Sequence, residues 1–487
     1  MSKIVLNTVT NRIGIHVSGA RGASAADIAR RTGAVPSDTT DEEYAELTLS
    51  NARVKEQEQT GVDLVDARGR GIKSFEADGS EFGINHDVRP SLYEGFQLVD
   101  ARGRAIELMG AGTFAEPLTP YVGPAIYAVE GEPSSLVLAN MLADRSRVSD
   151  SVGVLLPAAG RPVEFHNQLD FDAGAMAGPV KIAVGPMSQG LIAESGDIAL
   201  RIADNPGSGS PVILTLGDSI AYRGCMYWVN QFLTGWGYTP TWVGTLRSSG
   251  ASDESTSGGL LGEPKPGDQL GDFTYQRTTR VSPLPPGSEA AYDGLSIEGK
   301  RGYNTLLRAS TGGDAPEDIQ NGYVVDFGDY FTRHSLTPAT CLFLWPWTND
   351  INGVAFEDIY DRIYDGYALM IRRWRAYHAT YPIVIALPGT GQSPDREALW
   401  PSYIEATRAV WAAYNDAADA NVHLVFGAPH VTSTAGYDLT AATATPDPIT
   451  GARVRTIKDA VHPTGSPRVE MSRVFAATVA YAVTNII

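Results

Sequence analysis

From residue 211 onward the chain alternates short apolar runs with long amphipathic stretches, and that alternation leaves few folds open. PVILTL, ATCLFLW, PIVIAL and NVHLVFG are uniformly apolar, as strands buried on both faces are. FEDIYDRIYDGYALMIRRWRAYH and REALWPSYIEATRAVWAAYNDAAD repeat their apolar residues at helical spacing, and RVEMSRVFAATVAYAV follows near the C-terminal end. Strand and helix in turn predict an α/β fold, with a parallel sheet covered by helices on both faces. Sheets of this kind bind their ligands at the carboxyl ends of the strands.

The upstream residues read differently. Residues 1–60 carry two helix-start signals. Ser24 precedes AADIARR, which Gly33 ends, and Thr40 with Glu43 forms a capping-box pattern before DEEYAELTLSNARVKEQEQ. Tyr44, Leu47 and Val54 are too sparse for a lone helix, so this assembly segment needs a packing partner, such as a second copy of the chain, or is a frayed surface helix. Residues 61–116 hold a repeat: LVDARGR stands at 64–70 and again at 98–104, each copy reading as strand, tight turn, strand. Residues 117–207 alternate in strand fashion (AIYAVEG, SVGVLLPAAG, GPVKIAVGP, DIALRIAD), which predicts a small β-sandwich. NPGSGSP at 205–211 reads as a flexible linker, and 208–487 as the α/β domain.

Composition narrows the partners. Across 487 residues the formal net charge is −18, spread rather than blocked, which disfavours binding to a phosphate backbone. No apolar run is long enough to span a bilayer, and MSKIVLNTVTNRIG has no signal-peptide core. The two cysteines, Cys225 and Cys341, allow one bridge at most, and the apolar setting of Cys341 suggests a buried thiol. No histidine shows ligand spacing for a metal, and His423 and His430 read as structural.

Chemistry enters where the first apolar strand runs into Gly217-Asp218-Ser219-Ile220 and then a helical stretch. A helix start offers free N–H groups to a developing negative charge. Gly-Asp-Ser alone is also a good turn and helix cap. Far downstream stands Asp459-Ala460-Val461-His462-Pro463, just before the last helix. A serine hydroxyl needs a base to take its proton, and His462 can be that base. Asp459 can hold the ring in the right tautomer. Gly302 in SIEGKRGYNTLL and Asn349 in LFLWPWTNDI follow other strands and can supply donors for an oxyanion, though each is also an ordinary turn residue.

Together these blocks resemble the SGNH (GDSL-type) hydrolases. That family shows a Gly-Asp-Ser, a Gly, an Asn within Gly-x-Asn-Asp and a late Asp-x-x-His, in the order of Ser219, Gly302, Asn349, Asp459 and His462 here. The resemblance covers about 208–487 and implies a three-layer α/β/α sandwich. It implies ester hydrolysis through an acyl-serine, with Ser219, Asp459 and His462 catalytic. Ser219, Gly302 and Asn349 would form the oxyanion hole, with no metal or other cofactor. Two departures stand out. Trp347 occupies the place of the Gly before Asn349, and GGLLGEPKPGDQLGD reads as an inserted loop between Ser219 and Gly302. Asp218, Trp345, Trp347 and Asp350 flank the blocks and are the candidates for touching substrate. The two tryptophans offer faces for a sugar ring, or pack in the core or at its rim.

The β-rich stretch ahead of the Gly-Asp-Ser strand is similar to an Ig-like module found before such domains in some bacteriophage tail proteins and bacterial carbohydrate esterases. GARGASAADIARRTG looks like segments of phage tail fibres. The resemblance implies an esterase on a virion tail, assembled in the host cytoplasm and trimeric. It would touch other tail or baseplate proteins and remove O-acetyl groups from a host surface polysaccharide. Two alternatives stay open: a free-standing cytoplasmic esterase or lipase for small esters, and a receptor-binding tail protein whose catalytic domain is dead.

Overall fold

In the computed structural model the chain divides into two compact units, Met1–Pro117 and Leu118–Ile487. The first is described only as backbone strands. The second is described from 118 to 484, except 119, 177, 188–190, 192, 253–257, 347, 390–397, 432–458 and 460.

Seven strands build the central sheet of the second unit: β1 Val212–Gly217, β2 Thr241–Val243, β3 Leu246–Arg247, β4 Leu261–Pro264, β5 Cys341–Trp345, β6 Ile383–Leu387 and β7 Val422–Phe426. Their order is β3-β4-β1-β5-β6-β7, with β2 lying along the first half of β1. Every pairing is parallel except β3 with β4. The four apolar runs of the sequence are β1, β5, β6 and β7, and the last three are buried along their whole length.

Alternation along these strands builds two cores. Leu214, Leu216, Leu342, Leu344, Ile383 and Leu424 face one side, where α2 (Phe356–Tyr377) and α3 (Trp400–Ala417) pack. Ile213, Cys341, Phe343, Trp345, Val384 and Val425 face the other, covered by α1 (Met226–Gly235) and α4 (Gly465–Thr484). The result is the expected three-layer α/β/α sandwich with a parallel sheet.

Two expectations need correction. GGLLGEPKPGDQLGD is not a simple inserted loop, because its LGEP forms β4, with Glu263 opposite Leu216 and Pro264 opposite Gly217. Its glycines hid it: Gly262 fits in the sheet because a Cβ there would sit 3.1 Å from the Met226 side chain. The NPGSGSP stretch is pinned rather than loose. Gly207 N–H donates to the Trp236 carbonyl at 2.7 Å, Thr239 N–H donates to the Gly209 carbonyl at 2.9 Å, and a Cβ on Gly207 would strike the Tyr238 ring.

Ahead of the sandwich lies a β-rich module with its own core, which includes Leu136, Leu155, Ile182 and Val184. Ser151–Pro157 pairs with Val163–Phe165 and Val180–Pro186, and Ser134–Val137 with Gln168–Phe171, all antiparallel. Ala125–Val129 runs parallel to Ala199–Ala203. It turns Ile126 and Ala128 into the module, and Ala125, Tyr127 and Val129 into the core beneath α4.

In the first unit each copy of the repeat closes a hairpin, with Val65 opposite Gly71 and Val99 opposite Ala105, but the first copy shifts register between Leu64 and Val65. Ile4–Val9 pairs with Arg12–Val17, and Lys55–Gln57, inside a stretch read as helical, is a strand paired with Gly61–Asp63. Residues 18–54, with the other helix-start signals, lie outside the described ones.

Among the described residues, no helix is long and apolar enough to cross a membrane. Both cysteines are buried, and no disulfide joins them. His423 and His430 are also buried; Arg201 Nη1 meets His423 Nδ1 at 2.9 Å, and His430 Nδ1 meets the Ser135 carbonyl at 2.9 Å.

Candidate active site

At the carboxyl end of β1 the backbone must turn at once from strand into helix. Gly217 permits this: a Cβ there would lie 2.4 Å from the Ala221 Cβ and 2.8 Å from the Trp345 ring. Asp218, fully buried, ties the turn by accepting the Ile220 N–H at 2.8 Å. Burial pushes its carboxyl up to about 6, against the pull of hydrogen bonds from Ile220, Thr348 and Ala221. Ser219 stands at the head of the turn, 8% exposed.

The chain brings a second segment to it from 240 residues away. His462 Nε2 lies 2.8 Å from Ser219 Oγ, and His462 Nδ1 lies 2.8 Å from Asp459 Oδ2. Asp459 Oδ1 accepts the backbone N–H groups of Val461 at 2.9 Å and His462 at 3.0 Å, which locks carboxylate and ring into one short loop. Burial raises the Asp459 carboxyl, but these bonds and the imidazole outweigh it and leave the group below its ordinary value. The carboxylate therefore stays ionised to accept from Nδ1–H, which leaves the Nε2 lone pair aimed at Ser219. That is the tautomer in which an imidazole can take the serine proton.

Arg223 is a residue that sequence reasoning missed. Its Nη1 lies 3.1 Å from Asp459 Oδ2 and 3.1 Å from His462 Nδ1. It arrives there because the helical turn after Ser219 breaks at Arg223 (φ −84°, ψ 64°) and Gly224 (φ 77°, ψ −9°). Only the folded loop shows this, since an Arg four residues after a serine carries no motif.

The two other expected oxyanion donors are held by their own neighbours. Asn349 Nδ2 donates to the Asp268 carbonyl at 2.9 Å, and the Asn349 carbonyl accepts Gln269 Nε2 at 2.7 Å. Gly302 closes the short helix Ile297–Arg301, with a long 3.4 Å contact from its N–H to the Gly299 carbonyl. Lys265, 2% exposed, holds this region to the sheet: its N–H donates to the Gly217 carbonyl at 2.8 Å and its Nζ to the Tyr303 carbonyl at 2.6 Å.

Three of the four residues expected to touch substrate are buried instead. Trp345 is 1% exposed, stacked on Phe343 and edge-on to Phe475, because β5 turns it into the core under α4. Asp350 is fully buried and accepts the Leu270 N–H, and Asp218 shapes the turn. Trp347 lies outside the described residues. No cluster of three or more His, Cys, Asp or Glu side chains among the described residues is placed to hold a metal ion.

No family model matches the chain, and a search of curated proteins finds no relative. Among solved structures, an acetyl esterase mutant with acetate ion aligns over 55% of this chain and 94% of its own, at 13% identity and a TM-score of 0.31. A Corynascus thermopiles (Myceliophthora fergusii) carbohydrate esterase family 2 enzyme with a carbohydrate-binding domain aligns over 75% and 98%, at 14% identity and a TM-score of 0.30. A family two carbohydrate esterase from Clostridium thermocellum, in complex with cellohexaose, aligns over 76% and 94%, at 12% identity and a TM-score of 0.26.

Proposed function

We propose that this chain is a serine esterase that removes O-acetyl groups from a bacterial surface polysaccharide. The observation that carries the esterase reading is the relay Ser219–His462–Asp459, two contacts of 2.8 Å in series at the carboxyl end of a parallel sheet. His462 Nε2 takes the hydroxyl proton as Ser219 Oγ adds to the ester carbonyl, and Asp459 steadies the imidazolium. The Ser219 N–H, the second amide hydrogen of Asn349 and the weakly held Gly302 N–H receive the oxyanion. His462 then returns the proton to the leaving alcohol, and the acyl-serine is hydrolysed by water, with His462 again as base.

The carbohydrate part of the proposal draws on the order of segments, a β-rich module directly before the nucleophile strand. The resemblance of the N-terminal residues to tail-fibre segments supports placement on a phage tail, as a homotrimer contacting other tail proteins. Co-sedimentation with virions tests that placement, and a chain found only free in the host cytoplasm overturns it.

The esterase reading is tested by p-nitrophenyl acetate hydrolysis with the wild type and Ser219→Ala side by side. Loss of the nucleophile is expected to lower kcat by about three orders of magnitude or more. Equal rates would remove Ser219 from the mechanism.

A further inference from the structure

The second unit holds a cavity of about 650 Å³ whose lining includes Gln269, Arg277, Thr279, Asn352, Arg362 and Asp365. Its organising atom is Gln269 Oε1, which receives both Arg277 Nη1 and Arg362 Nη2, the latter at 2.8 Å. The other end of the same amide donates to the Asn349 carbonyl. Gln269 is 6% exposed, and Arg277 Nε is steadied by Thr279 Oγ1 at 3.2 Å. Neither arginine lies within ion-pair distance of a carboxylate among the described residues, although Arg362 draws on the buried Asp350 and Asp365 also lines the cavity.

Two guanidinium groups on one neutral oxygen repel each other, and each keeps N–H donors that a single amide cannot satisfy. A carboxylate between them answers both charges and accepts in the planar, forked geometry that guanidinium prefers. The loop that brings Thr348 to Asp218 continues through Asn349 into Asn352 at the cavity wall, so the cavity lies on the nucleophile's end of the sheet. A diffuse acidic surface repels an acidic polymer, so recognition of one requires a local cationic site of this kind.

We propose that this cavity is a subsite for a carboxylate-bearing sugar, and that the esterase acts on an acidic, uronate-containing polysaccharide. The proposal deepens the esterase reading and rests on it for the ester, while the binding it describes is measured without catalysis. In Ser219→Ala, calorimetry with unesterified oligogalacturonate is expected to show binding well above that of neutral xylo-oligosaccharide. Adding Arg277→Gln and Arg362→Gln is expected to weaken oligogalacturonate about tenfold or more, with Arg→Lys at both positions in between. Equal binding of the acidic and neutral oligosaccharides, or unchanged affinity in the folded double-Gln protein, overturns the subsite. Should the double-Gln protein not fold, the wild type decides: its kcat/KM on O-acetylated polygalacturonate is expected to exceed that on O-acetylated xylan by about tenfold, and a ratio near one overturns the proposal. Selective oligogalacturonate binding by a wild type that releases acetate from no ester keeps the subsite and overturns the esterase reading.

Discussion

Arg223 Nη1 shares Asp459 Oδ2 with His462 Nδ1, at 3.1 Å and 2.8 Å. Nδ1 cannot both donate to Asp459 and accept from Arg223, which also stands 3.1 Å from it. The ionised carboxylate decides the matter by accepting from both. In Asp459→Asn that arbitration fails: Arg223 or the new amide donates to Nδ1, and Nε2 then carries the hydrogen and cannot take the Ser219 proton. Asp459→Asn is therefore expected to lose about 10⁴-fold in kcat, the scale of the wrong-tautomer effect in serine hydrolases. Asp459→Asn/Arg223→Met is expected to recover about tenfold of that loss, because one donor competing for Nδ1 is gone. Steady-state rates on p-nitrophenyl acetate check this, and a double variant no faster than the single would show that Arg223 does not act on the ring.

Asp350 makes stability depend on pH in the opposite direction from an acid held in an ion pair. Burial pushes its carboxyl up to about 8, with the Leu270 N–H and Arg362 pulling it down and Asp272 and Asp218 adding to the rise. The unfolded chain titrates this group near 4, so between about pH 4 and about pH 8 the folded state binds more protons. Its contribution is thus fully present below the unfolded value and is lost as pH rises through the folded one. Asp218, raised to about 6, adds in the same sense over a narrower window. Asp350→Asn keeps an acceptor for Leu270 and removes the titration. Urea unfolding across this pH range is expected to show wild-type stability falling by a few kcal/mol relative to the variant. Parallel pH profiles for the two proteins would place the Asp350 proton elsewhere.

What the sequence disclosed, and what it withheld, follows from how local each signal is. β5, β6 and β7 are legible because strands buried on both faces are apolar throughout. Asp459 and His462 are legible because their bond closes within three residues. β4 was hidden because LGEP enters the sheet through Gly262 and a buried Glu263. That carboxylate is answered by Thr245, Tyr330 and Lys265, residues spread over 85 positions. Arg223 was hidden because its reach depends on the backbone break at Gly224. Gln269, Arg277 and Arg362 come from separate segments, so no spacing marks them. Trp345 stayed open between sugar platform and core because an aromatic that ends a strand at this edge can face either the mouth or the core, and strand parity alone decides.

That parity carries a stability prediction for Trp345. The ring stacks on Phe343 at 4.9 Å, meets Phe475 edge-on at 5.4 Å, and fills the space against Gly217. Trp345→Ala is expected to destabilise the protein by about 3–5 kcal/mol, as for other large-to-small changes in a core. Trp345→Phe keeps most of the packing and should leave KM for a polymeric substrate unchanged. Chemical denaturation and polymer kinetics separate the cases: normal stability with a raised KM in both variants would make Trp345 a sugar platform after all.

Gly224 holds the site together through its backbone alone. At φ 77° it sits in the left-handed region, where a side chain costs about 1–2 kcal/mol. A Cβ there would also lie 2.9 Å from the Gly250 carbonyl and 3.0 Å from Arg468 Nη1. The loop must shift to accept it, and Arg223, its chain neighbour, must shift with it and away from Asp459. Gly235, the last residue of α1, provides the contrast, since a Cβ there meets nothing within 4 Å. Gly235→Ala is expected to be neutral or stabilising by up to about 1 kcal/mol, with normal rates. Gly224→Ala is expected to lower both stability and kcat, with a fall in rate larger than the loss of folded protein accounts for. Activity normalised to the folded fraction distinguishes the two, and full specific activity in Gly224→Ala would show that the relay does not depend on the break in this turn.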